Sequence, residues 1–322
     1  MRKTKQRRLK QLAIVLLAVF LVAIALGLIS VWENNQDYFP TQTDNDTVIY
    51  QNQAYALKDN VESFLLIGID KFEDSASADS YKNDQQADFL MLFVMDHDAK
   101  TVSAVHINRD TMAEINILGL NGNKVDTVIR QIALSHTYGN GKEISCNNTV
   151  NSVSALLNDI KVDHYLSMKM DAVSIINDLV GGVEVTVIHT LDESLVQGKT
   201  VLLMGDQALR YVRARKGLED SSNIARMARQ KQYATALYEK FLMCVENDES
   251  FSINAVTKLS EHIISDRSAT QLKQLTEKIS DYELQDILSI DGEAKAGNEF
   301  MEFYADQDAI DQLVIDLFYD LK

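Results

Sequence analysis

The stretches 63-SFLLIGI-69, 89-FLMLFVM-95 and 102-VSAVHI-107 are short and almost unbroken apolar runs. Each is too short for a helix and is bounded by Gly, Asp or a polar turn, so each reads as a strand buried on both faces. Three such strands predict a central sheet covered on two sides. Residues 71–87 are rich in Ser, Asp, Asn and Gln and read as a long loop, and 96–100 as a turn. Downstream, helical patterns are expected over 128–138 and from near Ser145, where Val150, Val153, Leu156 and Leu157 share one face. Residues 163–170 read as a strand and 172–179 as a helix. After the break at Gly181-Gly182, residues 183–188 alternate as a strand. Helices are expected to dominate 205–281, apart from a loop around Gly217. Strand-like pieces near Ile287 and Phe300 precede an amphipathic helix over 307–321. Strands alternating with helices predict the α/β class, here an α-β-α sandwich with a mixed central sheet.

The N-terminus stands apart from this unit. MRKTKQRRLK carries six basic residues and no acidic one, and Leu12 to Trp32 runs 21 residues without a charge. A helix needs about 20 such residues to span a bilayer core, and it satisfies its backbone internally. The basic flank predicts a cytoplasmic tail (1–11), a membrane helix (12–32) and an extracytoplasmic remainder, held at the cell membrane by a single pass. A cleaved signal peptide is the alternative, with Ala23-Ile24-Ala25 resembling a cleavage site. The apolar run continues for seven residues past Ala25, which argues against cleavage. Residues 33–60 are polar and mostly aperiodic, contain the chain's single proline, Pro40, and read as a stalk. Residues 61–322 then form one domain large enough for a substantial core. A small separate C-terminal extension over 247–322 is the alternative.

Setting aside the six basic residues of the tail, 31 − 6 leaves 25 basic against 47 acidic residues, a balance of −22. A domain this acidic is unsuited to nucleic acid, whose phosphates need a basic footprint. It also makes any local basic cluster stand out. An exported chain could pair Cys146 with Cys244, although Cys244 lies in the apolar FLMCV and reads as a small buried hydrophobe. The six histidines lack metal-ligand spacing, and there is no Walker loop, nucleophile elbow or dinucleotide fingerprint.

The basic cluster is 205-GDQALRYVRARKGLEDSSNIARMARQKQ-232. Between Arg210 and Lys231 it holds seven basic and two acidic residues, inverting the balance of the domain. Arg213 and Arg215 are two apart and point the same way in an extended segment. Asn223 is a good N-cap for the helix that follows. In that helix Arg226, Gln230, Tyr233, Leu237, Phe241 and Cys244 form one stripe. A core-facing stripe that begins with Arg and Gln implies a buried polar pocket at its first turns, and a helix N-terminus favours an anion. Arginine forks suit phosphate. A solvated basic face is the plain alternative. Asp70 closes the first strand and Asp88 opens the second. If those strands are antiparallel neighbours, both carboxylates reach one end of the sheet, where they could hold Mg²⁺ beside a phosphate. Arg109 and Asp110, in NRDT, follow the third strand as a surface ion pair or as an arginine aimed at a ligand.

Taken in order, FLLIGID, QADFLMLFV, INRDTM, HTYGNG, NDLVGGVEVTV, GDQALRYVRARKG and NIARMARQ resemble the LytR-CpsA-Psr family of extracytoplasmic phosphotransferases. The resemblance covers the chain from the anchor to about Phe241. It implies one membrane helix, an external α/β domain, and transfer of a glycopolymer such as teichoic acid or capsule from undecaprenyl pyrophosphate to peptidoglycan, assisted by Mg²⁺. By position it implies metal-side carboxylates at Asp70 and Asp88. It also implies pyrophosphate contacts from Arg109, Arg213, Arg215, Arg226 and Gln230, with Asp70, Asp88 and Arg109 catalytic. His136 and Tyr138 match a family motif near the site, although a structural turn explains them as well. The chain departs from the family pattern at Asn108 (usually proline), Gln86 (often arginine) and Asn223 (often aspartate). Two rival functions keep the same pocket: a regulator or scaffold that binds polyprenyl pyrophosphate without turnover, and a lipid pyrophosphatase.

Overall fold

The computed structural model describes residues 47–69, 85–214, 223–248, 251–279, 282–297 and 300–322. In chain order the elements begin with strands β1 (Thr47–Tyr50), β2 (Gln53–Leu57), β3 (Val61–Ile69), β4 (Ala87–Asp96), β5 (Thr101–Ile107), β6 (Met112–Leu118) and β7 (Lys124–Gln131). A 3-10 helix (Ile132–Thr137), α1 (Glu143–Leu156), β8 (His164–Lys169), α2 (Ala172–Leu179), β9 (Val183–Thr186), β10 (Thr200–Leu203) and α3 (Asp206–Arg213) follow. The chain continues through α4 (Asn223–Asn247), α5 (Phe251–Leu259), β11 (Ile263–Ser265), α6 (Ala269–Ile279), β12 (Glu283–Ser289), β13 (Gly292–Ala296), β14 (Met301–Ala305), α7 (Gln307–Phe318) and β15 (Tyr319–Leu321).

The three apolar runs lie side by side, as their composition predicts. The central sheet has the order β11-β8-β3-β4-β5-β12 among the described residues. β3, β4 and β5 run antiparallel, whereas β8 joins β3 and β12 joins β5 in parallel. Alternate residues of each strand enter opposite cores. Phe64, Leu66, Met91, Phe93 and Met95 face one layer, with Ile176, Tyr211, Tyr233, Phe241 and Leu272. Leu65, Ile67, Leu90, Leu92 and Val94 face the other, with Cys146, Val153, Ile310, Val314 and Phe318. The result is a mixed sheet between two helical layers. Burying each such Leu or Phe contributes about 1.5–3 kcal/mol.

Two expectations are corrected. Residues 128–138 are not one helix: 128–131 are strand, and only 132–137 are helical, as a 3-10 turn. KVDTVIRQ forms β7 and pairs with β6, placing Val128 opposite Ile115, and the 3-10 helix follows. Pairing with a neighbouring strand overrides the local helical pattern, which is a weak prior. Residues 47–57, read above as stalk, form the β1–β2 hairpin, to which β15 adds a third strand. This small sheet is largely solvent-facing and so lacks the apolar run that marks a buried strand. Residues beyond 247 are part of the domain: β11 and β12 are the two edges of the central sheet and α7 fills one of its cores. The predicted membrane span at 12–32 lies outside the described residues, among which no helix is long and apolar enough to cross a membrane. Cys146 and Cys244 are both free thiols.

Candidate functional site

Asp88 is presented by a β-bulge. The β3–β4 ladder pairs Gly68 with Phe89 and Ile69 with Ala87, leaving Asp88 as the extra residue. The alternation of faces slips there: Ala87 belongs to the α1-side core and Phe89 packs on the other. Bulges re-aim side chains in this way. Gly68 is required opposite, because a Cβ on it would lie 2.8 Å from the Phe89 Cβ and 3.1 Å from the Met170 Sδ.

Arg109 enters from the turn after β5. Asn108 accepts from the Asp110 amide at 3.0 Å through its side chain, and from the Thr111 amide at 3.0 Å through its carbonyl. This Asx turn fixes locally the bend that a proline would preset. The Arg109 guanidinium pairs with Asp88 through Nη1 and donates to Gln86 Oε1 through Nη2, while its Nε lies 3.3 Å from Asp110. Gln86, where the family often carries arginine, therefore helps to hold Arg109. Asp110 is held from behind by Gln131, whose amide donates to it at 3.1 Å and to the Met301 carbonyl at 2.7 Å. The Phe303 amide donates to the Asp110 carbonyl at 2.9 Å. The β13–β14 hairpin thus braces the loop that carries Arg109.

The basic cluster supplies the opposite wall. Arg213 is the last residue of α3, so the extended geometry expected for it is corrected: Tyr211, Val212 and Arg213 are helical. The short α3 turns Arg213 toward the start of α4, where Arg226 and Gln230 are both nearly buried. The predicted stripe is present, with Tyr233 and Phe241 buried behind them. Asp88, Arg109, Arg213, Arg226 and Gln230 line one pocket of about 230 Å³, closed by Met170 and Val212. Five of the seven predicted site residues are therefore brought together. Asp70 and Arg215 lie outside the described residues. Met170 and Val212 carry no sequence signal that separates them from ordinary core.

Two buried histidines frame the site. His106 lies under α4 with its ring 4.8 Å from that of Phe89. Burial, reinforced by the charges of Arg226 and Lys231, lowers its pKa to about 3. His136 donates through Nδ1 to the Gln85 carbonyl at 3.0 Å, and its Nε2 lies 3.7 Å from the Cys146 thiol. Burial lowers its pKa to about 4, against the opposing pull of that hydrogen bond. His136 is thus a strut under the entry to β4, the structural of the two readings left open for it.

Among the described residues no three His, Cys, Asp or Glu side chains converge to hold a metal. The chemistry still suits Mg²⁺, which binds through one or two carboxylates and completes its shell with phosphate oxygens and water. Asp88 supplies one hard oxygen donor beside three arginines.

The model of the LytR_cpsA_psr family matches residues 31–317. The chain belongs to that family. One LytR_cpsA_psr relative, the polyisoprenyl-teichoic acid–peptidoglycan teichoic acid transferase TagU of Halalkalibacterium halodurans, is 30% identical over 182 residues, covering 55% of this chain and 52% of that protein. The protein of the same description from Enterococcus faecalis is 26% identical over 258 residues, covering 78% and 76%. The chain spans about half the length of the first curated relatives it matches. Among solved structures, Bacillus subtilis TagV shares the fold with a TM-score of 0.59 at 22% identity, covering 81% of this chain and 97% of that one. TagT bound to LI-WTA does so with a TM-score of 0.57 at 22% identity, covering 80% and 90%.

Proposed function

We propose that this protein transfers a phosphate-linked glycopolymer, of the teichoic acid or capsular type, from a polyprenyl pyrophosphate carrier to peptidoglycan. The observation that carries the proposal is the pocket itself: Arg109, Arg213 and Arg226 line one cavity with Asp88 in a domain whose overall balance is strongly acidic. Arginine forks, two of them from the buried Arg109 and Arg226, favour a multiply charged phosphate ligand. Family membership and the activity of the related teichoic acid transferases point the same way. The basic tail and apolar run of residues 1–32 support an anchor in the cell membrane, with the domain outside, where carrier and wall meet.

In this reading the pyrophosphate lies among Arg109, Arg213, Arg226 and, by the family pattern, Arg215, with Gln230 at its edge. A wall sugar hydroxyl attacks the phosphorus that bears the polymer. A new P–O bond forms, the bridging P–O bond breaks, and the lipid phosphate leaves with its electron pair while the hydroxyl proton passes to a pocket carboxylate. The residues act by orienting the donor and spreading the charge that develops on the transferring group, as phosphoryl transfer requires. Asp88, with Asp70, would hold Mg²⁺, which when bound supplies charge neutralisation at the phosphates.

The test presents the full chain in detergent with a lipid-pyrophosphate-linked glycan, peptidoglycan fragments and Mg²⁺, and follows the glycan by mass spectrometry. A phosphodiester-linked adduct that disappears in Arg213→Ala supports transfer. Release of glycan phosphate without an adduct would favour a lipid pyrophosphatase. Tight binding without turnover would favour a regulator.

A further inference from the structure

Arg229 lies one turn beyond Arg226 on α4, yet it does not line the pocket. Its side chain is fully buried and is the largest so placed among the described residues. No carboxylate pairs with it among those residues. Its Nε–H donates to the Tyr211 carbonyl at 2.9 Å, and Nη2–H donates to the Ala214 carbonyl. The neighbouring Gln230 amide donates to the Val212 carbonyl at 3.2 Å. These acceptors belong to the last turn and cap of α3, which a helix leaves without intrahelical partners. That end also carries the partial negative charge of the helix dipole, so a cation there is favoured.

Arg213 projects from this same turn. With eight residues, α3 is too short to hold its end by its own hydrogen bonds. A buried arginine is costly unless its donors find acceptors, and here Nε and Nη2 both find them on the helix end that aims a pocket residue, while Nη1 has no hydrogen-bond partner among the described residues.

We infer that Arg229 is a positioning residue: its guanidinium clamps the C-terminal turn of α3 and thereby aims Arg213 at the pyrophosphate, without touching the ligand. The inference rests on the pyrophosphate reading for what Arg213 binds, and on geometry alone for the clamp. Arg229→Lys keeps the charge but cannot serve two carbonyls from one planar fork.

The experiment uses the full chain in detergent, with Arg229→Lys, Arg213→Ala and the double variant. A fluorescent short-chain polyprenyl pyrophosphate is the binding probe, and amide hydrogen exchange over 206–214 reports the helix end. Arg229→Lys should keep cooperative melting, speed exchange in the last turn of α3 about tenfold, and weaken probe binding about tenfold. Because it acts through Arg213, the double variant should bind no more weakly than Arg213→Ala alone. Additive losses, or unchanged exchange at 211–214, would overturn the inference. If Arg229→Lys does not fold, exchange in the wild-type chain decides: the last turn of α3 should be as protected as the first turns of α4, and a freely fraying turn would overturn the clamp. Failure of the wild type to bind the probe would sink the pyrophosphate reading and leave the exchange arm to judge the clamp.

Discussion

Lowering the pH from 6.5 to 5 is expected to weaken the fold through two histidines that flank the site. His106 is 4% exposed and sits beneath the charges of Arg226 and Lys231. His136 is 0% exposed, with Nδ1–H committed to the Gln85 carbonyl. Their pKa values fall to about 3 and about 4, below the ordinary histidine value of 6.5. The unfolded chain therefore takes up these two protons first as the pH drops. The stabilisation is fully present above pH 6.5 and is lost on the way down to the folded values. Each group approaches a slope of about 1.4 kcal/mol per pH unit, and integration from pH 6.5 to 5 gives about 1–2 kcal/mol apiece, or about 3 in total. The window ends above the range where ordinary carboxylates titrate. Urea unfolding at constant ionic strength, at several pH values in this window, measures the loss, and His106→Phe should remove about half of it. A variant whose stability falls in parallel with the wild type would refute the reasoning, as would an NMR titration placing the folded His106 near its ordinary value.

Three further predictions concern the groups around Arg109. Asp88→Asn should abolish transfer and lower stability by about 1–3 kcal/mol, because the nearly buried Arg109 guanidinium keeps only Asp110 of its two carboxylates. Thermal unfolding should then find Asp88→Asn/Arg109→Gln more stable than Asp88→Asn alone. Gly68→Ala drives a Cβ into Phe89 and Met170 beside the Asp88 bulge. It should cost about 1–3 kcal/mol in urea unfolding and reduce the initial rate of adduct formation. Gln131→Ala removes the bridge between Asp110 and Met301. It should cost about 1–2 kcal/mol in stability and slow transfer, with circular dichroism unchanged.

The central strands were legible because burial on both faces writes an unbroken apolar run, as in FLMLFVM. The α4 stripe was legible because Arg226 and Gln230 precede Tyr233 and Phe241 at helical spacing. Peripheral strands were not: β7 and the β1–β2 hairpin are half polar, and their identity depends on β6 and β15. Arg213 was identified as a site residue but given an extended backbone, because the helix that carries it ends by contacts from Arg229 and Gln230 rather than by any local stop signal. Arg229 itself stands three residues from Arg226, on nearly the same helix face, and charge alone could not assign one to the pocket and the other to the core. The bulge at Asp88 is likewise invisible in QADF. It appears only where the β3–β4 register is known.

The third strand of the β1–β2–β15 sheet comes from the far end of the described chain. Tyr319 pairs with Leu57, and the Lys322 Nζ donates to the Thr47 hydroxyl across 275 residues of sequence. A ribosome adding about 5–20 residues per second therefore makes β2 roughly 13–53 s before its partner exists. Throughout that interval β2 is an open edge, with Ile49 of β1 exposed beside it. Pairings this distant also form slowly once the chain is whole. Kinetically, the hairpin is the last corner of the domain to close and the one most open to mispairing with a second nascent chain, so a holding chaperone would act with most effect there.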